Sequence, residues 1–298
     1  MTFLQAIILG IVQGLTEFIP VSSTAHLIFA SRAVGLYDGV DAALRAQQTT
    51  ATIAVVQLGT LVAVLIYFAR DILNISTAFV RDHLALVSGG RAQNSGLSGG
   101  RLSPDALLGW LVIIGSIPVA AVGLLFKKQI EGAFTKNLWV IATMMIVIAI
   151  LLGLAELVGK RTRSMKDLGV LDAVFMGFGQ CLALIPGSSR SGSTIMVGLF
   201  AGEMRETAAR LSFLLSMPAL AASGLLELRE AIHKLPHGSY GSLAVATAVS
   251  GLVGYASIWF LLRYLRTHST VLFIAYRLIV GGAIIFALFK GYLAATAT

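Results

Sequence analysis

The sequence predicts an all-α polytopic membrane protein with an inverted-topology repeat, each half a re-entrant helical hairpin plus three transmembrane helices. Three observations carry that prediction. The 298 residues are 57% hydrophobic and only 12% charged, with a mean hydropathy of +0.86, whereas a soluble domain carries about 25% charged residues. Six apolar stretches approach the ~20 residues needed to cross ~30 Å of hydrocarbon. Two further apolar regions are each interrupted by a proline followed by serines, and the two interruptions resemble one another.

The first element is residues 1–36, broken near Pro20–Ser23. Its arms of roughly 12–16 residues reach about 18–24 Å at 1.5 Å per residue, too short to cross. Interrupted backbone at membrane depth is tolerated only where protein or a wet cavity surrounds it, so a re-entrant hairpin is expected. The first ten residues carry neither a basic n-region nor a small-residue cleavage site, so the N-terminus is expected to be retained as part of the fold.

Spans are expected at about 50–69, 106–126 and 138–158, then a second hairpin at 169–202, broken near Pro186–Ser193. The remaining spans fall at about 207–227, 241–262 and 271–293. A long connection at about 70–104 contains SGGRAQNSGLSGG, Gly/Ser-rich and therefore expected to be a flexible loop without a catalytic role.

The breaks align as Gly10, Gln13, Leu15, Ile19, Pro20, Ser22 and Ser23 against Gly177, Gln180, Leu182, Ile185, Pro186, Ser188 and Ser189, with one residue of gap. The chain thus reads as one integral membrane domain, 1–298, with a first repeat over 1–158 and a second over 169–298. An odd number of crossings per half brings the second hairpin in from the opposite face, and the two loops can meet near the midplane. Twelve Lys and Arg fall on one side of this arrangement and eight on the other, so the richer side is assigned to the cytoplasm.

Composition excludes several classes. Cys181 is the only cysteine, so an intrachain disulfide framework and multi-cysteine metal sites are ruled out. The net charge of +8 comes from basic residues scattered among loops, which fits positive-inside topology and anionic-lipid attraction rather than nucleic acid.

Glu17, Glu156, Arg190 and Arg277 lie within apolar segments, where a charge costs roughly 2.5–3.5 kcal/mol at the bilayer centre and usually finds a cavity and a partner. Glu17 and Arg190 occupy the two hairpins, so convergence of the loops would pair them. A buried ion pair locking the hairpins is the plain reading; the surrounding residues argue for chemistry.

Around Arg190 the sequence runs Pro186-Gly187-Ser188-Ser189-Arg190-Ser191-Gly192-Ser193-Thr194 at the start of an apolar helix. Free backbone N–H groups, a helix N-terminus and a guanidinium matching phosphate oxygens bidentately make this a candidate phosphate cradle. In the first hairpin Gln13 and Glu17, at i and i+4, share a helix face, and Ser22, Ser23, Thr24 and His26 follow in the break. A hydroxyl beside an imidazole and a carboxylate suits phosphoryl transfer. Glu17 has three readings here: orienting His26, acting as base, or holding a divalent cation. For Arg277 the readings are a contact with substrate phosphates or a structural pairing with carbonyls or Glu156, the structural one favoured.

Gln13 to Leu27, Gln57-Leu58-Gly59-Thr60 and Pro186 to Thr194 together resemble the undecaprenyl-diphosphatase family, the bacitracin-resistance proteins, over essentially the whole chain. The resemblance implies hydrolysis of undecaprenyl diphosphate to the monophosphate carrier and inorganic phosphate, on the outer side of the bacterial inner membrane. It implies Glu17, Ser23, His26 and Arg190 as catalytic residues, with Ser23 the proposed nucleophile. Gln13, Ser22, Thr24, Ser188, Ser189, Ser191, Gly192 and Thr194 are the expected substrate-binding set. A divalent cation, Mg or Ca, is the implied cofactor, with Glu17 as its ligand. Attack by water, with Ser23 and Arg190 holding the phosphate, stays open beside attack by Ser23.

Two positions depart from the family pattern. Gln13 stands where many members have Glu, which removes one of two carboxylates, and Ala25 replaces a frequent Gly before the histidine. The expected partners are a polyprenyl diphosphate and membrane lipids, not nucleic acid, and a homodimer is compatible with this reading. The substrate tail is expected in an apolar groove between spans. From another class, an inverted-repeat transporter or polyprenyl-lipid flippase without hydrolysis accounts for the hairpins and the Glu17/Arg190 pair. The other membrane lipid-phosphatase superfamily is excluded, because Met196 stands where its histidine is required.

Overall fold

The structure is a computed structural model and describes residues 1–87, 102–126, 137–235 and 239–295. Within them lie eleven α-helices: α1 Phe3–Phe18, α2 Ser23–Ala33, α3 Ala42–Tyr67, α4 Ala69–Val87, α5 Pro104–Leu125, α6 Leu138–Val158, α7 Val170–Leu182, α8 Arg190–Phe200, α9 Arg205–Lys234, α10 Tyr240–Leu265 and α11 Val271–Phe289. Six segments are long and apolar enough to cross a membrane: Ala43–Tyr67, Pro104–Leu125, Leu138–Val158, Arg205–Leu226, Tyr240–Leu265 and Val271–Phe289. They fall on the six stretches expected from hydropathy, the first starting several residues earlier.

The connection at 70–104 is a correction. Its first part is the helix α4, where Leu73, Val80, Leu84 and Val87 form an exposed apolar stripe at helical spacing. Ile75 and Phe79 pack on Gly109 of α5, and the buried Asp82 accepts from the Ser103 N–H at 2.8 Å. The Gly/Ser-rich part, 88–101, lies outside the described residues.

Helix boundaries follow local chemistry. Thr2 and Gln5 form a capping box at the start of α1, and α1 stops at Phe18 because Pro20 forces Ile19 into an extended conformation. Ser103 caps α5 with Pro104 at its first position, and Asn137 caps α6.

Small residues set the closest packing. A Cβ at Gly10 of α1 would sit 2.5 Å from the Ala246 carbonyl oxygen of α10, and one at Gly177 of α7 would sit 2.5 Å from the Gly115 oxygen of α5. Such close backbone approach is how helices associate where lipid removes the hydrophobic drive. The two glycines belong to the two hairpins, and each lets its helix approach another helix's backbone closely. The same pairing extends to α3 on α10 and α9 on α5, with α3 against α9 and α6 against α11 joining the halves.

At one end of the bundle the connection between the halves is clasped onto the turn between α8 and α9. Arg163 grips Asp172 with both nitrogens at 2.6 Å and donates to the Ala201 and Asp167 carbonyls. The Thr162 and Arg163 N–H groups both donate to Gly202. Glu156 closes the same end, accepting from Arg205, Arg161 and the Thr270 hydroxyl; it is a structural hub rather than a midplane group.

Glu203 sits in this clasp, fully buried, and neither carboxyl oxygen has a hydrogen-bond partner among the described residues. Burial, helped by the Asp172 charge and opposed by Arg163, pushes its pKa from 4.5 up to about 7. The folded chain therefore holds a proton that the unfolded chain releases. Between about pH 4.5 and 7 stability falls as pH rises, and above 7 the whole penalty is present. Glu203→Gln should raise the melting temperature in detergent at pH 8 by several degrees and flatten its dependence between pH 5 and 8; an unchanged profile would show that Glu203 does not titrate there.

Candidate active site

The two breaks meet inside the bundle, and Arg277 of α11 holds them together. Its guanidinium is fully buried and donates to five carbonyls: Pro20 of the first break at 3.3 Å, Gly187 and Ser188 of the second at 3.0 Å each, and Met144 and Met145 of α6 at 3.3 and 3.1 Å. Of the readings open for Arg277, the carbonyl pairing is the one observed, and Glu156 is not its partner.

Each break ends in a serine with positive φ, Ser22 at 78° and Ser189 at 66°, from which the second arm of the hairpin starts. This corrects the alignment by one residue: Ser22 matches Ser189, and Ser23 matches Arg190 at the first position of its helix. This is the offset that already matches Gln13 to Gln180, so the two breaks align without a gap and Gly187, at φ 92°, falls opposite Pro20; its Cβ would lie 2.2 Å from the Ile141 oxygen. Only glycine fits there.

With the breaks joined, the N-termini of α2 and α8 converge, and two helix dipoles add positive potential to one place. Arg190 donates to Glu17 Oε1 across 173 residues of chain. Gln13 donates to Glu17 Oε2 at 3.1 Å, and more loosely to Thr60 Oγ1 at 3.4 Å. The i, i+4 reading is thus realised, with an amide neutralising nothing but holding the carboxylate in place. Both charged side chains are largely buried, 8% and 18% exposed.

His26 is not oriented by Glu17. Its Nδ1 lies 2.7 Å from the Ser22 carbonyl and its Nε2 2.6 Å from the Tyr276 hydroxyl. Ser23 is half-buried at the head of α2, and Thr24 is exposed beside it. On the other side Ser189 Oγ accepts from the Gly192 N–H at 3.2 Å and meets Ser191 Oγ at 3.2 Å. Thr194 turns away, bonding to the Arg190 carbonyl at 2.8 Å and to Ser212. Ser188 and Ser193 present buried hydroxyls with no partner among the described residues, a condition that costs free energy unless something else binds them.

Tyr276 and the role of Arg277 as a clamp were missed in the sequence. The available signal was a Tyr-Arg pair in the middle of an otherwise apolar span.

An apolar groove of about 850 Å³ runs between α3 and α10, lined by Val55, Gly59, Val62, Ala248, Leu252 and Tyr255 among others. Thr60, which Gln13 touches, follows Gly59 on the same helix.

Six long apolar helices around two broken hairpins joined inside the bundle define a polytopic membrane protein. A family model described as bacitracin resistance protein BacA matches residues 6–283, and this chain belongs to that family. Similar proteins named undecaprenyl-diphosphatase include one from Syntrophobacter fumaroxidans, 50% identical over 290 residues, 97% of this chain and 99% of that protein. Another from Mycolicibacterium gilvum is 45% identical over 299 residues, covering 99% and 100% of the two chains. A third, from Chlorobium phaeobacteroides, is 44% identical over 306 residues with the same coverage.

Replacing Arg277 leaves several buried carbonyls unsatisfied, at about 1–3 kcal/mol each. Arg277→Leu should lower the melting temperature sharply and abolish activity. Arg277→Lys should recover little of either, since a single ammonium cannot reach acceptors spread over a guanidinium fork. Thermal melting of the two purified variants checks this, and near-wild-type melting of either would remove the clamp role.

Proposed function

We propose that this chain hydrolyses undecaprenyl diphosphate to undecaprenyl phosphate and inorganic phosphate, recycling the lipid carrier for peptidoglycan and other envelope polymers and so conferring bacitracin resistance. The observation that carries this reading is the Glu17–Arg190 pair set between two convergent helix N-termini. Such a site attracts a diphosphate, holds it at membrane depth and keeps a carboxylate and an imidazole within reach of it. The names of the relatives support the same reaction.

In this scheme Arg190, the backbone N–H groups at the head of α8, and the hydroxyls of Ser188, Ser189 and Ser191 bind the diphosphate. Arg190 exchanges part of its contact with Glu17 for phosphate oxygens and stabilises the charge that builds on the transferred group. Ser23, at the first position of α2, is the favoured nucleophile: its oxygen bonds to the terminal phosphorus as the bond to the bridging oxygen breaks and undecaprenyl phosphate leaves, and water then hydrolyses the phosphoserine, releasing inorganic phosphate and restoring Ser23. His26 takes its proton, with Nδ1 committed to the Ser22 carbonyl and Nε2 the working nitrogen.

The donor set fits a divalent cation held largely by the substrate's own phosphates. Glu17 supplies one carboxylate, and among the described residues no cluster of three His, Cys, Asp or Glu forms a cage, which suits an ion that binds through one or two carboxylates plus phosphate oxygens. When bound, the cation supplies charge neutralisation on the phosphates. With Gln13 in place of a second carboxylate, Glu17 is the ligand of this chain.

The chain sits in the bacterial inner membrane as an inverted repeat, 1–158 and 169–298, with its site opening to the outer side; equivalent contacts of Gly10 and Gly177 support the repeat. The polyprenyl tail lies in the groove between α3 and α10, because α3 carries both the groove lining and Thr60. A homodimer remains compatible with this arrangement. The transporter reading accounts for the convergent hairpins, yet it leaves the His26 placement and the names of the relatives unused.

Inorganic phosphate release from undecaprenyl diphosphate by detergent-purified protein, with and without EDTA, tests the reaction. Arg190→Ala should lose about 10²–10³ in kcat, and Ser23→Ala should lose a comparable factor; retention of activity within threefold in Arg190→Ala would sink the phosphate cradle. A bulky Val62→Trp in the groove should raise KM for the long-chain substrate more than for farnesyl diphosphate, and an equal effect on both would place the tail elsewhere.

A further inference from the structure

We propose that Tyr276 is a positioning residue for His26, fixing where the basic imidazole nitrogen points. The inference rests on the hydrolytic reading above and deepens it. His26 Nδ1 lies 2.7 Å from the Ser22 carbonyl oxygen, and a carbonyl only accepts, so Nδ1 carries the hydrogen. In the neutral ring Nε2 is then the acceptor, and the Tyr276 hydroxyl, 2.6 Å away, donates to it.

The ring planes reinforce this. The imidazole and the phenol stack at 5.6 Å between centroids with 15° between planes, so the ring is restrained in rotation as well as in tautomer. Either nitrogen alone would leave His26 free to pivot about one hydrogen bond. Together the carbonyl and the phenol leave it one orientation, with its basic nitrogen on the side of α11.

Position in the chain makes the arrangement economical. Tyr276 precedes Arg277, so one turn of α11 joins the two breaks through the guanidinium and aims the histidine through the phenol. A phenol keeps its hydrogen throughout the range in which an imidazole titrates, so the hydroxyl stays a donor there. Tyr276 also keeps 42% of its surface exposed, and once Nε2 carries a proton the phenol oxygen can accept from it in the same geometry. A tyrosine serving only as packing would need neither the hydroxyl nor its alignment with Nε2.

Tyr276→Phe separates the two roles, because it keeps the stacked ring and removes the donor. Phosphate release from undecaprenyl diphosphate by wild type, Tyr276→Phe, His26→Ala and the double variant is the experiment, each measured from pH 5.5 to 9. The expected result is a kcat about tenfold lower for Tyr276→Phe with KM within about twofold. The limb of the pH profile that His26→Ala removes should move, and the double variant should fall no further than His26→Ala alone, since coupled residues are not additive.

Two results would overturn the inference: Tyr276→Phe within about twofold of wild type at every pH, or losses in the double variant that multiply. Full activity in His26→Ala, or no phosphate release by wild type, would instead bring down the hydrolytic reading, and the role of Tyr276 with it.

Discussion

One buried guanidinium makes the centre of this molecule. Breaking two helices inside a bilayer strands carbonyl groups where water cannot reach them, and each stranded group is expensive. Arg277 answers that need by donating to carbonyls of both breaks and of α6 at once. Lysine would offer a point charge; the planar fork offers several directed donors from a single residue. The rest of the site inherits its geometry from this junction, because one side chain is bonded to the tips of both breaks. The convergence of two helix N-termini, the meeting of Glu17 with Arg190 and the seat of His26 all follow from where those tips are held.

The charge arrangement around the junction is economical in a different sense. Two cations, Arg190 and Arg277, and two helix N-termini face a region with a single carboxylate, Glu17, so the local balance favours an anion. Gln13 supports that carboxylate: its amide donates to Glu17 Oε2 while Arg190 donates to Oε1. An amide brings no repulsion against the neighbouring carboxylate, whereas a second carboxylate at hydrogen-bond distance would need a proton or a cation between the two.

Much of this was legible in the sequence, and the reasons are physical. Spans are legible because lipid imposes a length and a polarity that composition reveals directly, and all six stretches stand out. The hairpins are legible because a half-length apolar segment broken by a proline and serines can neither cross the bilayer nor rest exposed to lipid, so it must turn back inside protein. The likeness of the two breaks was legible too, but its register was not: matching Pro20 to Pro186 puts Ser23 on Ser189, whereas backbone conformation puts Ser22 there, at the offset that already joins Gln13 to Gln180. Tyr276 and α4 escaped for another reason. A tyrosine in a span is ordinary by composition, and its meaning comes only from the imidazole 250 residues earlier. The helix α4 was hidden by the Gly/Ser-rich stretch after it, although its apolar residues at helical spacing were there to be counted.

Arg277 also bears on the order in which the molecule comes into being. Its contact with Pro20 spans 257 residues of chain, so the first hairpin leaves the ribosome long before the group that satisfies its Pro20 carbonyl exists. Until α11 inserts, those carbonyls must be served by water, lipid headgroups or the insertion machinery, and the hairpin cannot settle at its final depth. Membrane insertion of the N-terminal half is therefore provisional, and closure of the bundle by α11 is the event that commits the chain to its working form.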